Sequence, residues 1–598
     1  MLLDTHISMP NQDPLAENKF SLLPRDLRKW IKNLPYVDQD MAVKQFYDGL
    51  KRSNRQAHST KQRLAAIEIM RPVAYDFLKQ QRKYLLAQPF PLSKKATEVL
   101  KLQQNILNEL AVAYKIVIQE TINRDSHLSN KKLVTCVHYA MYYQLEQYIT
   151  LAQVYSEPPQ SYWNDLCQLY GIAEHFNLTE IPLKNTIDGE HTKSTPRAIF
   201  THACLLSLAN LHTYGHGEAE KISAHLDKSI QLATLSDTYS EKDEYTFYIN
   251  LALRKPVRLI PEDEVPISSK NRYINATALI NELKENCKTE TDAAKNSDGL
   301  SISLASRLLK KLASKPVRAS KRAVPPKGRL HIVIGLRDAI EILYSGNVYT
   351  EVESDKIRNT NLELMPIENQ QNSRFTNLNS HEDENNYEVS SANAWDWISK
   401  GNVIADKNAE TNEPIKQKTS ESKIINKDVS LNPVIQTWDI SNASKGGYCL
   451  TSSNTSDYQS QVGDIILLRL EDKTNDKWRL GVIRWMQSLT EQGVKMGIEI
   501  IHGSVDVLKV LDSHHDYEKH VEFEQVLLIT EESKHGTHKT IITPPYAASS
   551  GDGLVLGNGN RTQNIVLQGL VEKTISFNRF GFSEMPSMPG GDEMKQHG

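Results

Sequence analysis

The feature that most constrains this chain is a change of hydrophobic period partway along it. Up to about residue 290, apolar residues recur at three- and four-residue steps. Ala96 to Ile118 places Val99, Leu102, Ile106, Leu110, Ala113 and Val117 on one stripe. Lys131 to Tyr155 repeats the pattern with Val134, Val137, Met141, Leu145, Tyr148 and Ala152. Such a stripe is one face of a helix. From Val434 onward, short apolar runs are separated by Gly, Asn, Asp and Pro, the mark of a small barrel or sandwich. The strand candidates are Tyr448 to Thr451, Asp464 to Leu470, Arg479 to Met486, Met496 to Ile501, Val521 to Ile529, Lys539 to Ile542, Asn564 to Val571 and Thr574 to Phe582. The two periods predict an α+β multidomain chain, a helical array followed by a β domain.

Breaks in the first half fall where helix formation is obstructed. Glu157-Pro158-Pro159 interrupts the helical pattern before Tyr162 to Glu174, and Pro35, Pro89, Pro91, Pro182 and Pro196 punctuate other segments. Within the array, Trp163-x2-Leu166-x3-Tyr170 resembles one helix of a tetratricopeptide repeat, but no second copy stands at a fixed period. Aromatic residues at that spacing are core residues, or else the lining of a partner-binding groove.

Between the halves, Arg307 to Arg329 is strongly basic and contains no acidic residue. Leu330 to Gly335 then reads as a strand running into a short amphipathic helix with Leu336, Ala339, Ile340 and Leu343. Tyr349 to about Leu431 is rich in Asn, Ser, Glu, Asp and Lys, the composition of a disordered insertion. Its exception is Ala394-Trp395-Asp396-Trp397-Ile398, whose tryptophans could dock on a neighbouring surface.

With 598 residues the chain has room for three or four domains, and a formal net charge of -3 gives no global pull toward nucleic acid or membrane. The isolated cysteines Cys136, Cys167, Cys204, Cys287 and Cys449 argue for reduced thiols rather than a disulfide framework or zinc ribbon. The N-terminus has no basic region followed by an apolar core, and no apolar run is long enough to span a bilayer. We expect a cytoplasmic protein without membrane insertion.

The most informative stretch is Trp438-Asp439-Ile440-Ser441-Asn442-Ala443-Ser444-Lys445-Gly446-Gly447-Tyr448. It contains Asn442-x-Ser444-x-x-Gly447, followed at once by a strand. A short amide and a hydroxyl at a strand edge can hydrogen-bond a purine, and glycine lets the backbone come close to a ligand. The same residues equally suit a β-turn. The element resembles the [D/N]-x-S-x-x-G motif of PilZ domains. Leu480-Gly481-Val482-Ile483-Arg484-Trp485 and Met496-Gly497-Ile498-Glu499-Ile500 resemble the paired strands that close a PilZ barrel. Arg318-Ala319-Ser320-Lys321-Arg322, ahead of Leu330 to Gly335, is similar to the R-x-x-x-R loop of PilZ domains that bind cyclic di-GMP.

That resemblance implies a receptor for cyclic di-GMP. Arg318 and Arg322, with Lys321, would clamp phosphates and stack on guanine. Asn442 and Ser444 would meet a base edge, and Gly446 and Gly447 complete the ligand-binding set, where glycine lets the backbone approach closely. More than a hundred residues separate the two elements, where a compact PilZ domain has a few tens. The reading therefore needs a long insertion between barrel strands, which costs little because loop-closure entropy grows only logarithmically. Trp30-x3-Leu34-Pro35 and Val571-Glu572-x4-Phe577-x2-Phe580 extend the resemblance to long bacterial PilZ proteins with a helical N-terminal region.

The resulting division is a disordered 1–20, a helical domain 21–290, a basic loop, strand and helix 291–348, an insertion 349–431, a PilZ-like barrel 432–530, a C-terminal β extension 531–585 and a disordered tail 586–598. No catalytic motif stands out, so an enzyme is not expected. His514, His515, Asp516 and His520, and His535 with His538, read as solvent-facing loops rather than metal sites. Gly551-Asp552-Gly553 and Gly557 to Asn560 read as hairpin turns. Two rivals to the receptor remain open: a degenerate PilZ-like scaffold whose helical array binds protein partners, and a nucleic-acid-binding protein using the basic 307–329 segment.

Overall fold

The computed structural model describes residues 7–13, 20–86, 88–123, 128–184, 193–260, 265–288, 300–313, 328–345, 433–453, 459–471, 477–489, 493–514, 524–533, 536–558 and 561–585. The insertion 349–431 with Trp395 and Trp397, the tail 586–598, and His515, Asp516, His520 and His535 lie outside them.

The helical half follows the apolar stripes. Its elements are α1 (Pro24–Lys32), α2 (Gln39–Arg55), α3 (Thr60–Leu86), α4 (Lys94–Ile122), α5 (Asn130–Gln153), α6 (Ser161–His175), α7 (Pro196–Ala209), α8 (Glu218–Lys228), α9 (Thr277–Lys288) and α10 (Ile302–Ala313). Local chemistry starts several of them. The Asp38 carboxylate accepts from Met41 N at the head of α2 and Ser93 Oγ from Ala96 N at the head of α4. Thr195 Oγ1 accepts from Ala198 N, with Pro196 at the first helical position of α7. Val99, Ile106, Leu110, Ala113 and Val117 are buried as the stripe predicts. Trp163, Leu166 and Tyr170 are core residues.

Two features of this half depart from the expected division. The span 234–275 carries an antiparallel sheet of β3 (Thr234–Ser236), β4 (Thr246–Asn250), β5 (Arg258–Leu259) and β6 (Asn271–Asn275), in the order β3-β6-β4-β5. A two-stranded ribbon, β1 (Leu183–Lys184) with β2 (Lys193–Ser194), precedes it. Phe247 and Ile249 alternate inward from β4 and join the helical core, a two-period pattern too short to stand out among helices. Nor is all of 1–20 loose. Ile7 is buried, and Ser8 donates through both N and Oγ to Asp165, whose other oxygen takes Lys115 Nζ at 2.6 Å. That buried ion pair has lone pairs to satisfy, and the N-terminal segment satisfies them.

The second half closes two barrels. In the first, β7 (Arg329–Ile334), β8 (Gln436–Ser444), β9 (Gly447–Ser452), β10 (Ile465–Leu470), β11 (Arg479–Ser488) and β12 (Val494–Ile500) run in the order β10-β11-β12-β9-β8-β7, and β7 pairs back to β10. Strand β7 and the following α11 (Leu336–Ser345) are separated from β8 by the long insert. The insertion between barrel strands is therefore part of the fold. Leu330, Ile332, Trp438, Leu450, Ile466, Leu468, Ile483, Met496 and Ile498 fill the interior.

The C-terminal strands do more than extend that barrel. They are β13 (Ser504–His514), β14 (Gln525–Ser533), β15 (Gly536–Thr543), β16 (Gly553–Asn558), β17 (Arg561–Lys573) and β18 (Asn578–Glu584), closed in the order β13-β14-β15-β18-β17-β16. The expected boundary at 530 cuts through β14, and the change of barrel falls at 501–503. Closure removes the exposed edges that a bare extension would leave. His514 and His538 stand on strands rather than loops, and Asn558 pairs with Arg561 as the tight hairpin read from the glycines requires.

Side chains on the outer face of the first barrel, Val333, Ile465, Leu467, Leu480 and Val482, pack against α11 and against Leu527, Ile529, Ile542 and Phe577 of the second. Arg484 joins the two, paired with Glu499 on one barrel and Glu572 on the other. The helical half docks on the first barrel through Phe90 and Tyr155. Their carbonyls accept from Ser460 N and Ser488 N, both at 2.8 Å, and Tyr155 Oη meets Val462 N at 3.2 Å. Among the described residues no helix is long and apolar enough to cross a membrane.

Candidate ligand-binding site

Strands β8 and β9 form a hairpin in which Ser444 pairs with Gly447, leaving Lys445 and Gly446 as the turn. Ile440 opposes Leu450, and both turn into the barrel. The register then shifts before Asn442 pairs with Cys449 and Ala443 with Tyr448. A bulge of this kind inserts one extra residue and re-aims its neighbours. Here the extra residue is Ser441, whose hydroxyl lies 3.0 Å from Thr451 Oγ1. Tyr448 packs on the interior, so Ala443 faces inward, while Asp439, Ser441, Asn442 and Ser444 all face outward.

These side chains keep hydrogen-bonding capacity. Among the described residues the Asn442 amide has no side-chain partner. Ser444 Oγ reaches Gly447 O at a long 3.4 Å. An amide and a hydroxyl on one outward face, two residues apart, can together donate to and accept from a heterocycle edge.

The two glycines of the hairpin differ in their surroundings. A Cβ on Gly447 would lie 2.0 Å from Ile498 O on β12, so glycine there lets the barrel close. At Gly446 a Cβ would meet nothing within 4 Å, and its carbonyl accepts from Ile500 N at 3.0 Å.

The outward row continues across the sheet. Asn442 pairs with Cys449, Cys449 with Gly497, and Gly497 with Trp485. Four strands at about 4.8 Å spacing make this row about 14 Å long. The Trp485 indole lies over Gly497, where a Cβ would come 1.8 Å from Nε1. In the sequence Trp485 is only one position of a strand pattern. Its outward position follows from the register shift between Ile483 and Trp485, which no spacing reveals.

Arg318, Lys321 and Arg322 lie outside the described residues, and the structure does not describe where they stand relative to Asn442. It does fix both flanks of their span. Helix α10 ends at Ala313, with Arg307 paired to Glu218 and its guanidinium 5.3 Å from the Tyr214 ring. At the other flank, Gly328 O accepts from Ile440 N at 3.0 Å, two residues from Asn442. Arg329 pairs with Glu471 at 2.8 Å. Among the described residues no group of His, Cys, Asp or Glu could hold a metal ion.

A helical domain, a barrel split by a long insertion with an outward Asn-x-Ser element, and a second barrel together define a PilZ-containing protein. Three family models match in order: "Cyclic-di-GMP receptor FimW, N-terminal domain" over residues 25–241, its "middle PilZ domain" over 256–505 and the "FimW C-terminal beta-barrel domain" over 512–585. The chain belongs to this family. The cyclic-di-GMP receptor FimW of Pseudomonas aeruginosa PAO1 is 21% identical over 596 residues, covering 96% of this chain and 93% of that protein. No solved structure matches.

Proposed function

We propose that this chain is a cytoplasmic receptor for cyclic di-GMP rather than an enzyme. The nucleotide docks on the outer β8–β9 face, and Arg318, Lys321 and Arg322 close over it from the span that ends at Gly328. The observation that carries this reading is the Ile440–Gly328 hydrogen bond, which holds the end of the arginine span beside Asn442. Arg322 precedes Gly328 by six residues, a reach of at most about 20 Å. That radius covers Asn442 and Ser444. Two guanidinium groups supply bidentate contacts to phosphate and a planar surface for guanine. Asn442 and Ser444 supply the base-edge hydrogen bonds. The relative from Pseudomonas aeruginosa is named a cyclic-di-GMP receptor, in keeping with this assignment.

The nucleic-acid reading is weakened at both ends of the basic segment, because Glu218 engages Arg307 and Glu471 engages Arg329. The span also has a mechanical consequence. Helix α10 leads directly into it, and Ser303 of α10 donates to Lys573 O on the second barrel at 3.0 Å. Drawing the arginines onto a ligand would pull on α10, and through Glu218 on the helical domain, which presents the altered surface to a protein partner.

Thermal unfolding of the full chain with cyclic di-GMP, GTP and no nucleotide tests the assignment. Cyclic di-GMP alone should raise Tm, by an amount that grows with concentration, and Arg322→Ala should abolish the rise. An equal rise with GTP, or an undiminished one in the variant, overturns it.

A further inference from the structure

Helix α1 carries Arg25, Arg28, Lys29 and Lys32 at positions i, i+3, i+4 and i+7, which places all four cations on one face. All four are exposed, and among the described residues none is engaged in an ion pair. Asp26 is the helix's one acid, and its carboxylate accepts from Ser21 Oγ. The opposite side holds the helix to the protein, with Leu27 fully buried and Trp30 and Ile31 packed on the helical core. Exposed apolar side chains flank α1 in the chain. Leu23 precedes it at 52% exposure, and Tyr36 and Val37 follow it at 46% and 100%. Met41 on α2 is 49% exposed. The whole chain is slightly acidic, with a formal net charge of -3, so this concentration of positive charge is local.

We propose that this face of the helical domain docks on an anionic lipid surface. A single-signed basic face on an amphipathic helix is attracted to acidic headgroups, and each cation close to such a surface adds to the attraction. A turn residue as bare as Val37 has no pocket of its own to complete. It suits a fluid acyl boundary better than the shaped recess that a folded protein would have to provide. Tyrosine favours the same interfacial depth, and long basic side chains keep their heads in the headgroup layer while their stems lie along apolar surface. Docking of this kind requires no membrane-spanning segment. It is also independent of the nucleotide site, which lies on the first barrel.

Flotation of the full chain with vesicles of phosphatidylcholine, with and without phosphatidylglycerol, tests the surface. The protein should float with the anionic vesicles only, and added salt should release it. Each neutralisation among Arg25→Gln, Arg28→Gln, Lys29→Gln and Lys32→Gln should lower the partition coefficient about fivefold. Val37→Asp should weaken binding without touching a cation, and circular dichroism and the cyclic di-GMP response should stay as in wild type for every variant. Failure to float with anionic vesicles overturns the proposal, including the case in which the face captures an acidic protein instead. Equal flotation with neutral vesicles, or undiminished flotation of the fourfold variant, overturns it as well.

Discussion

Asn442 and Gly447 sit on one hairpin but answer to unrelated demands. Gly447 is held by β12, whose Ile498 carbonyl leaves no room for a methyl group. Gly447→Ala should therefore destabilise the chain by roughly 2–3 kcal/mol, the usual result of overpacking. Gly446→Ala, next in the chain, should fall within about 0.5 kcal/mol of wild type in denaturant unfolding. Among the described residues Asn442 has no side-chain partner to lose. Asn442→Ala should leave stability unchanged while weakening cyclic di-GMP about tenfold, one neutral hydrogen bond's worth. Loss of folding in that variant would assign the amide a structural role. Asp40 is a third kind of residue. It is buried, its Oδ1 has no hydrogen-bond partner among the described residues, and burial pushes its pKa up to about 7 against the pull of Lys44. Between about pH 4, where an unfolded aspartate titrates, and about pH 7, the folded chain holds a proton that the unfolded chain has released. Stability from this group therefore falls as pH rises through that window. Asp40→Asn should raise Tm at pH 8 and leave it unchanged near pH 4.

At the scale of elements, the joint between helices and barrel rests on few groups. Tyr155 is almost fully buried, packs edge-on against Phe90 with ring centroids 4.9 Å apart, and contacts Val462 N through its hydroxyl. Tyr155→Phe deletes that contact and leaves a buried polar group unmatched, at a cost of about 1–3 kcal/mol. Limited proteolysis should then release the barrels from the helical domain sooner than in wild type. What the sequence could disclose follows from the same elements. Helices α4 and α5 were legible because their apolar stripes run for several turns, and β9 to β12 because their apolar runs are bounded by turn residues. Strand β13 was not legible. Its Asp506, Lys509 and Asp512 interrupt the apolar run, and the histidines at its end drew attention to metal chemistry. The outward aim of Asn442 and Trp485 depends on two bulges, and a bulge moves a side chain to the other face without changing composition. Lys115 and Asp165, which anchor the N-terminal segment, are fifty residues apart, so no local spacing connects them.

For the whole molecule, the arrangement is three bodies, each in contact with the other two. Tyr155 and Phe90 tie the helical domain to the first barrel, Arg484 and α11 tie the first barrel to the second, and Ser303 ties α10 back to Lys573. The span that carries Arg318 and Arg322 is flanked by Ala313 and Gly328, so on the proposed function a ligand that gathers it would act on all three bodies. The central claim is that Arg318 and Arg322 complete the face presented by Asn442 and Ser444. Isothermal titration of cyclic di-GMP into the full chain and into Arg322→Ala tests it most directly. The account predicts saturable heat for wild type and at least tenfold weaker binding for the variant. Absence of heat with wild type, or equal affinity in the two proteins, would contradict it.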